Sequence, residues 1–167
     1  TEGIDVTDVL RQILISESGE FNQFDIIAEN LMSDSIESVQ LAPNGVVTDI
    51  YPAEGNEAGK IDLLHDKDRG EISCYARDNH TVITQGPFEL KQGDYGIAVR
   101  NPVYLNDENG QEYFWGFTIV ILRVPDIFSD AISALSNFGY KYRISKTEAP
   151  WSDTYKVVYQ SDGQINH

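Results

Sequence analysis

The chain holds few side chains able to do covalent chemistry. It has one cysteine, Cys74, and three histidines, His65, His80 and His167. Cys74 falls in a stretch where Ile72 and Tyr75 keep helical spacing, and a buried structural thiol is the default there. None of the histidines has an i, i+4 partner or a Cys or Glu companion of the zinc-site kind, and His167 is terminal. His65-Asp66-Lys67-Asp68 reads as a solvated turn. Asp107-Glu108-Asn109-Gly110 lacks the twelve-residue spacing of a calcium loop and reads as a hairpin turn. Gly86, Gly93 and Gly96 are not followed by the Lys-Ser/Thr of a phosphate loop. No catalytic residue, metal ligand or cofactor is therefore predicted, and a hydrolase would need carboxylates that converge only in the fold.

Residues suited to binding are clearer. The run Gly96-Ile97-Ala98-Val99-Arg100-Asn101-Pro102-Val103-Tyr104 alternates as a strand. Its period of two puts Ile97, Val99, Asn101 and Val103 on one face and Gly96, Ala98, Arg100 and Pro102 on the other. Arg100 thus projects among small residues. Its planar fork is either paired with a carboxylate, with Glu54, Glu57 and Asp62 as candidates, or held for an anionic ligand. Tyr51 and Trp115 each offer a broad apolar face with one polar handle, as pocket walls or as core aromatics bonded to backbone. Gly116 within a strand implies a close approach by backbone or ligand, and Pro102 a bulge or an edge.

These positions need a mixed scaffold. Between Asp5 and Leu31, Val6, Val9, Leu10 and Ile13, then Phe24, Ile27, Ala28 and Leu31, recur at helical spacing, with Ser18-Gly19 as a break. Pro43-Asn44-Gly45 joins Ser38–Leu41 to Val46–Tyr51 as a hairpin. Asp68 and Glu71 are a capping pair for a short helix ending near Asn79. Thr81–Thr84, Tyr95–Leu105 and Glu112–Leu122 are strands, the last two paired antiparallel across Asn106–Gly110. A helix follows Pro125 and ends at Gly139, and Tyr140–Ile144 and Tyr155–Tyr159 supply two more strands. The order implies an α+β fold with helices covering a sheet face.

The chain has 167 residues, 41% of them hydrophobic and 23% charged, as in a single soluble domain. The formal net charge is −15. That charge argues against nucleic acid or an anionic membrane surface as partner, since both are held by Lys and Arg clusters. One cysteine allows no intrachain disulfide. The longest apolar stretch, Phe114–Leu122, is far short of the roughly 20 residues that span a bilayer. A first residue other than Met suggests processing or excision from a longer chain.

Several segments carry a resemblance when read in order: Tyr51-Pro52-Ala53-Glu54-Gly55-Asn56-Glu57, Asp62-Leu63-Leu64, Thr84-Gln85-Gly86-Pro87-Phe88-Glu89-Leu90, Gly96 to Tyr104, and Phe114-Trp115-Gly116-Phe117. Together they resemble the CHASE domain, the extracytoplasmic sensory module of membrane histidine kinases, nucleotide cyclases and plant cytokinin receptors. The resemblance covers roughly residues 36–132. The chain departs from the family pattern at Asp78-Asn79-His80, at Gly93-Asp94 and after Glu57, all in expected loops.

The resemblance implies a PAS-like antiparallel sheet behind an N-terminal helical segment, residues 1–35, with the sensory core in residues 36–167. It implies an extracytoplasmic domain of a membrane receptor with flanking transmembrane helices, joined to a histidine kinase or a diguanylate cyclase. It also implies a small-molecule ligand and a homodimer paired through the N-terminal helices. Thr84 matches a threonine of the cytokinin-receptor pocket, so the expected ligand-binding set is Tyr51, Thr84, Arg100, Trp115 and Gly116. The alternative is a PAS-like dimerisation module whose own Tyr and Trp fill the pocket.

Overall fold

In a computed structural model of the chain, the described residues are 2–53, 59, 61–90, 95–124, 143–147 and 155–160, the last two stretches as backbone. The expected break at Ser18-Gly19 divides the N-terminal segment into α1 (Glu2–Ser16) and α2 (Phe24–Leu31). Ser18 and Gly19 both take positive φ, and the Gly19 amide donates to the Leu14 carbonyl at 2.7 Å. That closes the last turn of α1 and satisfies one of its orphan carbonyls.

Five strands follow: β1 (Ile36–Pro43), β2 (Asp49–Tyr51), β3 (Ile83–Glu89), β4 (Tyr95–Asn106) and β5 (Glu112–Val124), with α3 (Gly70–Asn79) between β2 and β3. They form one antiparallel sheet in the order β2-β1-β5-β4-β3. This is the α+β architecture expected from the element order and the PAS-like antiparallel sheet that the family resemblance implies. Farther along, β6 (Arg143–Thr147) pairs antiparallel with β7 (Tyr155–Gln160). The helix expected after Pro125 lies outside the described residues.

Three local expectations are corrected. The second hairpin arm is strand only from Asp49, because Val47 turns away to donate to the Ile61 carbonyl while Leu63 donates to Gly45. The strand expected at Thr81–Thr84 runs instead from Ile83 through Gly86-Pro87 to Glu89; β3 is an edge strand, where a proline without N–H is tolerated. The start of α3 is held by Asp66, whose Oδ2 accepts the amides of Asp68 and Arg69, and not by the pair Asp68 and Glu71.

The sheet is covered on both faces. Val6, Leu10 and Leu14 of α1 and Phe24 and Ala28 of α2 pack on Val39, Leu41, Val99, Val103, Val120 and Leu122. On the reverse face, Ile72 and Ala76 of α3 join Leu63, Ile83, Phe117 and Ile119. Each of the larger of these side chains contributes about 1.5–3 kcal/mol by leaving water. The apolar stripe of α1 is divided: Val6 and Leu10 are buried, Ile13 is half-buried, and Val9 remains 43% exposed.

A polar clamp sits within the apolar seam under α1. Thr118 Oγ1 donates to the Thr7 carbonyl at 2.9 Å, and Asn101 Nδ2 donates to Asp8 Oδ1 at 2.8 Å. Asn101 and Thr118 stand directly opposite each other on β4 and β5. The clamp fixes the position of α1 along the sheet, which apolar contact alone leaves free to slide.

Gly116 lies opposite Val103 of β4 and Pro43 of β1, beside a register shift that leaves Trp115 without a partner residue. Its φ is +152°, and a Cβ there would meet the Ala42 carbonyl oxygen. The close approach is thus by backbone. Gly116→Ala is expected to destabilise the domain by about 2–4 kcal/mol, read as a lower midpoint in urea denaturation. An unchanged midpoint would mean that the β1–β5 seam gives way freely.

Candidate functional site

Alternation along β4 turns Arg100 away from α1 and α2, toward α3. It stands opposite Ile83 on β3 and Ile119 on β5, both part of the α3-side core. The residue is 4% exposed. Its Nη1 donates to Gln85 Oε1 at 2.6 Å, and Gln85 Nε2 donates in turn to the Asp68 carbonyl at 2.9 Å. Gln85 therefore ties the guanidinium to the turn that leads into α3.

Among the described residues no carboxylate lies within ion-pair distance of Arg100. Of the three candidates from the sequence, Asp62 bonds His65 Nδ1 at 2.9 Å instead, and Glu54 and Glu57 lie outside the described residues. Arg69 is paired with Asp66, Nη1 to Oδ1, at 3.1 Å. Burial, reinforced by the charge of Arg69 and only partly offset by Asp66, pushes the Arg100 guanidinium down to about 10. A buried cation with one neutral acceptor keeps most of its desolvation cost.

More polar atoms face the same side. Ser73, on the sheet-facing side of α3, is fully buried and its Oγ has no partner among the described residues. Gln40 Nε2 donates to Ser38 Oγ at 3.0 Å on β1. Gln40 and Arg100 both stand opposite Ile119 in the register, two strand spacings, or roughly 10 Å, apart. Ala98 and Ile121 lie in the adjacent row, with Ser38 and Gln85 at its two ends.

The remaining sequence-expected site residues do not join Arg100. Thr84 stands opposite Val99, which packs on α1, so its side chain lies on the helix face, and it is exposed at the sheet edge. Tyr51 and Trp115 pack partly buried against the α1–α2 core, the Trp115 indole lying close to Gly19. Gly116 accommodates the backbone of β1. The sheet separates Arg100, on the α3 side, from Tyr51, Thr84 and Trp115, so the four do not line one pocket. Gln85 and Ser73 were missed. Gln85 was legible from the edge-strand alternation once the strand was extended through Pro87, whereas an inward-facing serine on a helix carries no signal of its own.

Cys74 and His80 make packing contacts. Cys74 is half-buried, with its Sγ 3.6 Å from the Leu64 carbonyl. His80 stacks on Tyr104, whose hydroxyl donates to the Arg77 carbonyl. No described helix is long and apolar enough to cross a membrane.

The model of the CHASE domain family matches residues 7–154. The fold is similar to an extracellular ligand binding receptor from Desulfohalobium retbaense DSM5692, with a TM-score of 0.60 and 16% identity, covering 93% of this chain and 27% of that one. It is also similar to the ligand-binding domain of the amino acid chemoreceptor PctC of Pseudomonas aeruginosa PAO1 in complex with GABA, with a TM-score of 0.61 and 16% identity over 93% of this chain and 64% of that one. The chain therefore spans about a quarter of the first and just under two-thirds of the second. At that identity the likeness is one of fold. No curated relative matches the sequence.

Two measurements test the electrostatics of the site. Arg100→Met removes a buried charge without orphaning a carboxylate, so it is expected to raise ligand-free stability by about 1–3 kcal/mol; a fall of that size in urea denaturation would reveal a structural pair. Burial pushes the Asp66 carboxyl up, but the Asp68 and Arg69 amides and the Arg69 charge bring it net below its ordinary value. Its contribution is therefore present at neutral pH and lost as the pH falls through the lowered value. Asp66→Ala is expected to cost about 1 kcal/mol at pH 7, and its deficit relative to wild type to shrink as the pH falls through that lowered value.

Proposed function

The chain belongs to the CHASE domain family, and on that premise we propose that it is the extracytoplasmic ligand-sensing domain of a membrane-bound receptor. The observation that carries the proposal is the buried Arg100, which has no carboxylate partner among the described residues and lies under α3 on the face opposite α1. A natural chain retains an uncompensated interior cation at a cost in stability, and a ligand that completes it recovers that cost only in the bound state. In this proposal the small molecule binds between β4 and α3, and Tyr51, Thr84 and Trp115 belong to the opposite, helix-bearing face. The amino acid ligand of the PctC chemoreceptor domain is compatible with this chemistry.

The output is a cytoplasmic histidine kinase or diguanylate cyclase reached through flanking transmembrane helices. Two chains pair through α1, where Val9 is exposed and Ile13 half-buried, so both are left over for a partner once Val6, Leu10 and Leu14 are committed to the sheet. A ligand shifts the receptor only by its differential affinity for two arrangements of these helices.

A thermal-shift screen of small metabolites tests the reading. A true ligand at one hundred times its dissociation constant stabilises by about 2.7 kcal/mol. A screen without a single stabilising compound would favour a dimerisation module instead. In sedimentation equilibrium, wild type is expected to self-associate weakly and Val9→Asp to be monomeric; equal behaviour of the two would remove α1 as the pairing surface.

A further inference from the structure

The chemical class of the ligand follows from the way Arg100 is held; the inference rests on the ligand-sensing proposal above. Arg100 carries five N–H donors. Its Nη1 is occupied by Gln85 Oε1, while Nε and Nη2 make no hydrogen bond among the described residues. Those two nitrogens form one straight edge of the guanidinium, the edge that meets the two oxygens of a carboxylate in parallel. Gln85 is anchored at its far end by the Asp68 carbonyl, so it fixes which edge is left available.

The local charge sets the valence. Arg69 and Asp66 cancel as a pair, which leaves Arg100 as the buried charge without an ion-pair partner among the described residues. A monoanion neutralises it. A phosphate dianion would leave a buried negative charge with no partner, at the same desolvation cost in reverse. The Ser73 hydroxyl, without a partner among the described residues, provides a neutral donor on α3. From Arg100 the sheet surface continues over Ile119, Ala98 and Ile121, which suits a short apolar stem.

We propose that the site takes a small monocarboxylate, its carboxylate held side-on by Nε and Nη2 of Arg100, with Gln85 as the positioning residue that orients the guanidinium. The opposite face of the same strand reaches α1 through Asn101, so the candidate site and the docking of α1 are one residue apart.

The probes are a panel of aliphatic, hydroxy- and amino-monocarboxylates, each beside its neutral amide, with inorganic phosphate as the dianionic control. Binding is read by calorimetry at matched ionic strength and by the NMR signal of the Arg100 Nε–H. At least one carboxylate is expected to bind and shift that signal while its amide and phosphate do not. Arg100→Met, with its fold checked by circular dichroism, is expected to lose about ten- to hundredfold in affinity. Arg100→Lys keeps the charge without the fork and is expected to fall between. Equal binding of acid and amide, a preference for phosphate, or full affinity in Arg100→Met would overturn the proposal. A neutral stabiliser indifferent to Arg100→Met would overturn the carboxylate assignment and leave the sensing role standing. A panel and metabolite screen both without binders would overturn both.

Discussion

The middle of the β4–β5 pair, Gly96 to Val103 against Gly116 to Val120, is buried on both faces, and this constraint sorts the residues along it. In an exposed antiparallel sheet, alternate positions answer to water; here they answer to two different layers of protein. Val99, Asn101 and Val103 serve α1, while Ala98, Arg100 and Pro102 serve α3. A slip of one residue would bring Arg100 under the apolar side of α1 and Asn101 to the reverse face, so the register is specified by charge as well as by packing. The Gly116 contact against Ala42 and the bulge at Trp115 pin the same register at the far end of the strand.

An acidic chain with a cationic interior has a simple electrostatic design. The acidic groups are spread over the chain, whereas the Arg100 charge is placed where water screens it least. Its pull on an anion is short in range and strong at contact, and the surface opposes approach from a distance. Selectivity in such an arrangement comes from geometry at the guanidinium edge and not from long-range attraction.

Period and turn chemistry carried most of the fold. The Ser18-Gly19 break, the Asn44-Gly45 turn, the two long strands and the two faces of β4 all follow from local rules that the tertiary structure respects. Misplacements arose where a long-range partner outranked a local one. Val47 bonds Ile61, and β3 tolerates Pro87 because it is an edge, a fact of topology. The face of each residue was legible within a strand and not across strands. Arg100 and its face came from alternation within one strand, but Tyr51, Thr84 and Trp115 were grouped with it across strands, and only the pairing register tells which face a neighbouring strand presents.

The clamp of Thr7, Asn101 and Thr118 makes one further point. Asn101 and Arg100 share a peptide bond, so the docking of α1 and the setting of the guanidinium are properties of a single stretch of backbone. Linkage between two such sites is reciprocal: any factor by which an anion at Arg100 changes the pairing of α1 helices is the factor by which that pairing changes the affinity for the anion. Were α1 paired as proposed, tethering that restricts it would itself be an effector, and the same domain held in a membrane and free in solution would differ in affinity for one ligand without a single altered contact in the site.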